Sequence, residues 1–158
     1  MGGFKKKQSS IANGVATRYE NHRKNNMFNN VSNSDMIQGR KEMARRIESG
    51  EYSLQLSRQH FLKHKYGTVQ YADYEKTRFK QGRGPQSILS ISEDEAQNMI
   101  NSKSWTGISV IRKSGIGDIE YVECDTEIGT YYKNLQSHAT KRCAIHHGKK
   151  SSHIFHSK

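Results

Sequence analysis

The sequence predicts an α+β fold in which N-terminal helices are followed by a four- to five-stranded antiparallel sheet. Two observations carry this prediction. Residues 34–101 contain apolar residues at helical spacing together with helix-capping residues, whereas residues 108–155 contain short alternating segments separated by polar turns. The chain has 158 residues, of which 32% are hydrophobic, and this indicates one modest domain with a small core and an extension.

The first part of the chain predicts an arm and one helix. Residues 1–33 are polar, basic and rich in asparagine, which is typical of a mobile arm. Residues 34–50 predict an amphipathic helix that Ser34 caps and Gly50 ends. The remaining residues, 51–158, are assigned to one functional domain. The apolar stripe of the helix consists of Met36, Met43, Ala44 and Ile47.

A further helix is predicted at residues 92–101, where several local signals agree. Ser92 and Glu95 form a capping box, in which each side chain accepts a hydrogen bond from the other residue's backbone. Ile91 and Ala96 flank this start and predict a hydrophobic staple.

The second half of the chain alternates in the way strands do. Residues 108–112 and 119–124 flank a glycine-containing hairpin turn at residues 114–118. Cys124 and Cys143 fall in strand-like segments, where a disulfide between neighbouring strands and two free thiols are both compatible with the pattern, and a cytosolic chain favours thiols. Further strands are predicted at residues 128–133, 141–146 and 152–155.

The net charge of +11 is unevenly distributed along the chain. Residues 1–31 and 128–158 are strongly basic, whereas residues 92–127 contain eight acidic residues. Two basic regions imply a polyanionic partner, and nucleic acid is the commonest one. No apolar run reaches the length of a signal-peptide core or a membrane span, so we expect no association with a membrane.

The segment of residues 142–158 has a composition suited to phosphate chemistry. It contains four histidines and four basic residues but no carboxylate. Lysine and arginine donate charge-assisted hydrogen bonds to phosphate, and histidine transfers protons near neutral pH. Hard divalent metals prefer carboxylate oxygens, and the cysteine and histidine spacings here do not match a firm zinc signature. The sequence therefore predicts neither a metal nor a cofactor.

Two motifs far apart in the chain carry a family resemblance. Residues 63–71 have the form Lys-His-x-x-Gly-Thr-x-x-Tyr, and residues 145–154 read Ile-His-His-Gly-Lys-Lys-Ser-Ser-His-Ile. Residues 89–97 lie between them and resemble a strand followed by an acidic helix start. Over residues 51–157 the chain resembles the polymorphic toxin type 50 domain, which is found at the tail ends of bacterial toxins and of phage minor head proteins.

The resemblance implies a fold and an activity. The family is grouped with the barnase-, EndoU-, colicin- and RelE-like ribonucleases, in which helices precede an antiparallel sheet whose concave face cuts RNA. The implied activity is that of a metal-independent endoribonuclease toxin, which promotes attack of the RNA 2′-hydroxyl on its own phosphodiester. Such cleavage needs a base, an acid and a donor that stabilises the phosphoryl charge.

The matched motifs assign roles to individual residues. The resemblance gives His64 and His153 as the acid–base pair, Lys150 as the phosphate clamp and Ser152 as a hydroxyl donor to the same phosphate. His146 is predicted to point from a strand into the binding face, as scaffold or as substrate contact. Lys149 and Lys150 are expected on opposite faces of an extended segment. Candidate substrate-binding residues are Lys63, Thr68, Arg142 and Lys149.

The remaining histidines are expected outside the site. His22 and His60 are predicted to be surface groups, His138 to lie in a polar turn, and His156 to belong to the tail. Thr68 has a second interpretation, as a residue that caps its turn.

A second function remains compatible with the sequence. The same type of domain at the end of a phage head protein would bind nucleic acid without cutting it. The expected partners are RNA and an acidic cognate immunity protein, or, in the alternative, phage head components. The expected place of action is the cytoplasm of the producer or of a target cell, after delivery within a secreted toxin or a phage particle.

Overall fold

The computed structural model describes residues 31–112 and 115–157, and most of the predicted basic arm, residues 1–33, lies outside them. The α+β class is confirmed. The helices are α1 (Asn33–Glu48), α2 (Arg58–Leu62), α3 (Val69–Lys80) and α4 (Glu93–Lys103). The strands are β1 (Ile88–Leu89), β2 (Ile108–Arg112), β3 (Gly115–Glu123), β4 (Gly129–Lys133), β5 (Gln136–Thr140), β6 (Arg142–His146) and β7 (His153–Ser157).

The strands divide into two antiparallel sheets instead of forming the one sheet of four to five strands that the sequence predicts. The three-stranded sheet has the order β1-β4-β5, and the four-stranded sheet has the order β2-β3-β6-β7. Strand β5 has no counterpart in the sequence analysis, because its residues are mostly polar. Its hairpin with β4 turns at Asn134 and Leu135, which have φ of 54° and 64°, and a leucine there gives no turn signal.

Helix α1 packs against the four-stranded sheet. It begins two residues earlier than predicted, because the Ser32 hydroxyl, not that of Ser34, accepts a hydrogen bond from Asp35 N. Met43 is fully buried beneath it, and Gly39 allows the helix to approach Ser109, whose Cβ would lie 3.3 Å from an added methyl group. The Arg46 guanidinium donates to Ile116 O, which ties the helix to β3.

Helix α4 confirms the prediction at residues 92–101. The Ser92 hydroxyl accepts from Glu95 N, and the Glu95 carboxylate accepts from Ser92 N, so both halves of the capping box are present. Ala96 and Ile100 of this helix are fully buried. They pack into the main apolar cluster with Phe61 of α2, Leu89 of β1, and Val122, Cys143, Ile145 and Ile154 of the four-stranded sheet.

The main cluster therefore joins both sheets, and this fixes the direction of the side chains on the terminal strand. Successive side chains of a strand point to opposite faces. Ile154 of β7 is buried in the core, so its neighbours His153 and Phe155 project from the other face of the strand.

The two cysteines lie close together as free thiols. Their sulfur atoms are 3.5 Å apart, and Cys143 is buried while Cys124 is partly exposed. The hydrogen bond with Cys124 and burial together raise the pKa of the Cys143 thiol. Among the described helices, none is long and apolar enough to cross a membrane.

Candidate active site

A cleft of about 330 Å³ lies beside strands β6 and β7 of the four-stranded sheet. These two strands form one wall. The other wall consists of parts of α2 and α3, the connection between them and the segment before β1. Five of the lining residues are histidines: His60, His64, His146, His153 and His156. Three more are cationic: Lys63, Arg78 and Arg83.

The pairing of β6 with β7 places His146 directly opposite His153. The centroids of their rings are 4.9 Å apart. His146 Nε2 lies 2.9 Å from Asp118 Oδ2 of β3, and both side chains are partly exposed, at 38% and 36%. Asp118 thus supplies a negative charge and a hydrogen-bond partner to a histidine that solvent can reach.

His60 belongs to this cluster and is an exposed residue, as predicted. Its ring stacks on that of His153 with 4.2 Å between centroids and 11° between planes. His60 Nδ1 lies 2.7 Å from the Ser57 hydroxyl at the start of α2, which fixes the ring orientation.

His64 is held more deeply by the segment before β1. Its Nδ1 lies 2.9 Å from the Ser87 hydroxyl, and its carbonyl accepts a hydrogen bond from Leu89 N. Gln86 donates to the Lys63 carbonyl at 2.9 Å, which holds the same backbone turn. Burial lowers the pKa of His64 to about 4, so the ring is neutral at neutral pH.

His153 lies at the centre of the cluster and is also neutral. Burial, followed by the charges of His60, His146, His64 and Lys63, lowers the pKa of His153 to about 3. The same combination of burial and neighbouring cations lowers the pKa of His60. A neutral imidazole surrounded by potential cations is able to accept a proton, and an anion in the cleft would favour that acceptance.

Cationic side chains lie on the wall opposite β7. The Lys63 ammonium lies 5.1 Å from the centre of the Tyr74 ring. Arg78 donates to the carbonyls of Gly84 and Arg83, each at 3.1 Å, so its guanidinium is held by the loop that precedes β1. These groups give the cleft the positive charge that a phosphodiester requires.

Ser152 does not face the cleft, contrary to its predicted contact with phosphate. It is fully buried, and its hydroxyl donates to Ser53 O at 2.5 Å and accepts from Gly148 N at 3.3 Å. Thr68 takes its second predicted interpretation, because its hydroxyl accepts from Tyr71 N and caps α3. Both residues hold backbone in place.

The lysines of the terminal motif also lie elsewhere. Strand β6 ends at His146 and β7 begins at His153, so Lys149 and Lys150 are exposed residues of a turn, and the expected extended segment is absent there. This turn is tied by backbone hydrogen bonds to residues 53–57. Arg142 lies at the other end of β6 from His146 and forms an ion pair with Glu123 at 2.9 Å. Of the four predicted substrate-binding residues, Lys63 lines the cleft.

His147 follows His146 but is a core residue. Its Nε2 lies 2.9 Å from Glu120 Oε1, and both side chains are fully buried. The Glu120 carboxylate also accepts hydrogen bonds from Trp105 N at 3.0 Å and Gly107 N at 2.8 Å. This pair therefore organises the loop between α4 and β2.

The sequence analysis did not identify His60, Asp118, His156 or the aromatic and arginine residues of the cleft. The four-residue spacing of His60 and His64 was a usable signal, since it places two side chains on one side of a helical turn. Asp118 was assigned to a hairpin turn, whereas it lies within β3, three residues from the strand's start. His156 was assigned to a tail, whereas it lies within β7.

In residues 31–112 and 115–157, no three or more His, Cys, Asp or Glu side chains are arranged so that they could hold a metal ion. A family model described as bacterial toxin 50 matches residues 56–155, which include all the histidines of the cleft except His156. No curated protein and no solved structure matches the chain.

Proposed function

This chain belongs to the bacterial toxin 50 family, and from that premise we propose that it is a metal-independent endoribonuclease toxin. The observation that supports this proposal is the placement of a neutral histidine, His153, beside a carboxylate-paired histidine, His146, in a cationic cleft. This is the combination of base, acid and phosphate-binding groups that transesterification of RNA needs.

His153 acts as the base in the proposed reaction. It takes the proton of the 2′-hydroxyl, and the 2′-oxygen then forms a bond to the adjacent phosphorus. Burial lowers the pKa of His153 to about 3, so the ring is unprotonated at neutral pH. The negative charge of the bound phosphodiester then offsets the repulsion from the other cations.

His146 acts as the acid. The bond from phosphorus to the 5′-oxygen breaks, and His146 gives its proton to that leaving oxygen. Asp118 Oδ2 lies 2.9 Å from His146 Nε2 and holds the orientation of the ring. The products are a 2′,3′-cyclic phosphate and a 5′-hydroxyl end.

Lys63 replaces Lys150 as the proposed phosphate clamp, with Arg78 beside it. Lys63 lines the cleft, whereas Lys150 lies on the exposed turn outside it. His64, which Ser87 holds through Nδ1, is placed to donate to a phosphoryl oxygen as a neutral imidazole. Neutral donors and cations aimed at the phosphoryl oxygens stabilise the charge of the transition state.

The test is cleavage of bulk RNA by the full chain in excess EDTA, with analysis of fragment sizes and end groups. We expect fragments with cyclic phosphate ends. His153→Gln is expected to lower the rate by about 10²- to 10⁴-fold. His138→Gln is the matched control, because His138 lies on β5 and does not line the cleft. Intact RNA that stays bound to the protein would support the non-catalytic nucleic-acid-binding alternative.

A toxin of this kind requires protection of its producer, and the charge of the cleft indicates how. An acidic immunity protein that covers Lys63, Arg78 and Arg83 would block the site and gain long-range attraction. Reversal of the Arg83 charge, Arg83→Glu, is expected to weaken such an inhibitor more than Lys80→Glu, an exposed position of α3 outside the cleft. Equal inhibition of both variants would exclude the cleft as the docking surface.

The proposed place of action is the cytoplasm of a target cell, where RNA is accessible. Delivery as part of a secreted toxin or of a phage particle is compatible with the family. Expression of the chain inside a cell should arrest growth, and His153→Gln should relieve that arrest if RNA cleavage is its cause.

A further inference from the structure

Two aromatic rings line the histidine cleft without taking part in the core. Phe155 of β7 and Tyr74 of α3 both face the cleft, and neither belongs to the two apolar clusters of the described chain. Phe155 shares a strand face with His153, and the centroids of their rings are 5.8 Å apart. Tyr74 lies on the opposite wall and is hydrogen-bonded to Arg78.

Among the described residues that line the cleft, Phe155 is the one with a purely apolar side chain. Phe155 is partly exposed although the core lies one residue away at Ile154. Ionised phosphate does not pair favourably with a phenyl ring, so the phosphate-binding groups do not explain it. A nucleobase does, because every base presents a π-face and stacks on aromatic side chains.

We propose that Phe155 and Tyr74 form a nucleobase subsite beside the histidine cluster. The base attached to the nucleotide at His153 stacks on Phe155, and Tyr74 forms the facing wall. A base inside a duplex already stacks on both faces, so the base in this subsite must be unpaired. The proposal rests on the proposed function for the position of the phosphate, and it narrows the substrate to single-stranded RNA and loops.

The closing experiment separates the phosphate from the base. Binding of inorganic phosphate and of nucleoside 3′-monophosphates to the full chain is measured by calorimetry. We expect the nucleotides to bind about tenfold or more tighter than phosphate, since one stacked base contributes this much or more. Phe155→Leu is expected to reduce nucleotide affinity to nearly that of phosphate and to leave phosphate affinity unchanged.

Matched variants keep the interpretation unambiguous. Phe79→Leu makes the same chemical change at an exposed position of α3 outside the cleft, and it should retain the nucleotide preference. Phe155→Tyr keeps an aromatic ring and should retain most of the preference for nucleotide over phosphate. If Phe155→Leu lowers the melting temperature, Tyr74→Leu removes the other aromatic ring of the subsite. It should also reduce the preference for nucleotide over phosphate. Equal affinity of the wild-type chain for phosphate and nucleotide would overturn the subsite.

The subsite and the proposed function can fail separately. A chain that prefers nucleotides but leaves RNA intact keeps the subsite and loses the proposed reaction. A chain that cuts duplex and single-stranded RNA of one sequence at equal rates keeps the reaction and loses the subsite. We expect the single-stranded form to be cut at least about tenfold faster, given the energy of one stacked base.

Discussion

Two neighbouring histidines of this chain have nearly the same partner geometry and opposite surroundings. His146 Nε2 lies 2.9 Å from a carboxylate oxygen of Asp118, and His147 Nε2 lies 2.9 Å from a carboxylate oxygen of Glu120. The first pair has side-chain exposures of 38% and 36%, and the second pair is fully buried. The distances are identical, so burial alone separates a pair that can meet substrate from a pair that cannot.

The comparison shows how one strand end supports both chemistry and stability. The carboxylates come from alternate residues of β3, whereas His146 is the last residue of β6 and His147 follows it. Glu120 accepts two backbone hydrogen bonds in addition to its contact with His147. Its carboxylate oxygens are therefore occupied by partners inside the fold. Asp118 instead pairs with His146, whose ring centroid lies 4.9 Å from that of His153 in the cleft.

The largest expected effect is on catalysis at the exposed pair. His146→Gln removes the proposed acid and should lower RNA cleavage by about 10²- to 10⁴-fold. The midpoint of thermal unfolding should change little, because the side chain is partly exposed. Initial rates and melting curves measured on the same preparation test this. Wild-type turnover in a folded His146→Gln variant would remove His146 from the mechanism.

The buried pair should respond in the opposite way. His147→Ala leaves the Glu120 carboxylate buried without its ring partner, which is expected to lower the free energy of unfolding by about 3–5 kcal/mol. Denaturant unfolding measures this loss. The cleavage rate per folded molecule should stay within about tenfold of wild type. A stable but inactive variant would contradict the comparison, since it would place His147 in the reaction.

The pH dependence of stability is expected to come from the cleft. The pKa values of His64 and His153 are lowered to about 4 and about 3, below the ordinary value of 6.5. The unfolded chain therefore binds protons that the folded chain rejects, and stability should fall as pH decreases from about 6.5 towards 4. Each group contributes a slope of at most about 1.4 kcal/mol per pH unit.

Denaturant unfolding between pH 7 and pH 4 measures that slope. His64→Gln and His153→Gln should each flatten it, whereas His138→Gln should leave it unchanged. An equal slope in all variants would show that other groups cause the acid destabilisation.

The smallest expected effect is at the terminal turn. Lys149→Ala and Lys150→Ala should each change cleavage by no more than about twofold, since exposed substitutions away from a site cost about 0.5 kcal/mol or less. By contrast, Lys63→Met removes the proposed phosphate clamp and should lower the cleavage rate by about 10²- to 10³-fold, since a donor to the transition state is lost. Steady-state rates of the three variants at one salt concentration test this. A large loss confined to Lys150→Ala would restore it as the clamp.

Local signals predicted the parts of the fold that depend on neighbours in sequence. The capping box of Ser92 and Glu95 is present, and β2 has the predicted bounds of residues 108–112. Strand β5 and helix α3 were not predicted, because mostly polar residues form them and distant partners hold them. The division into two sheets was also missed, since it depends on β4 pairing with β1 and not with β3.

In the candidate site too, local motifs predicted some residues, whereas residues positioned by distant contacts were missed. The motifs identified His64, His146 and His153, and the fold brings all three to one cleft. Ser152 and Lys150 could not be placed from sequence, because the turn between β6 and β7 is determined by hydrogen bonds to residues 53–57. No local pattern encodes a contact across almost one hundred residues.

The position of β7 determines when, during folding, the cleft is assembled. One wall of the cleft comes from residues 60–87 and the other from residues 146–156, so the site depends on contacts of large sequence separation. Such contacts form late in folding, since the entropy of closing long loops opposes them. A nascent or unfolded chain therefore has no assembled site. A single proteolytic cut at the exposed Lys149–Lys150 turn would also separate His146 from His153 along the chain. Dissociation of β7 would then remove His153 from the cleft.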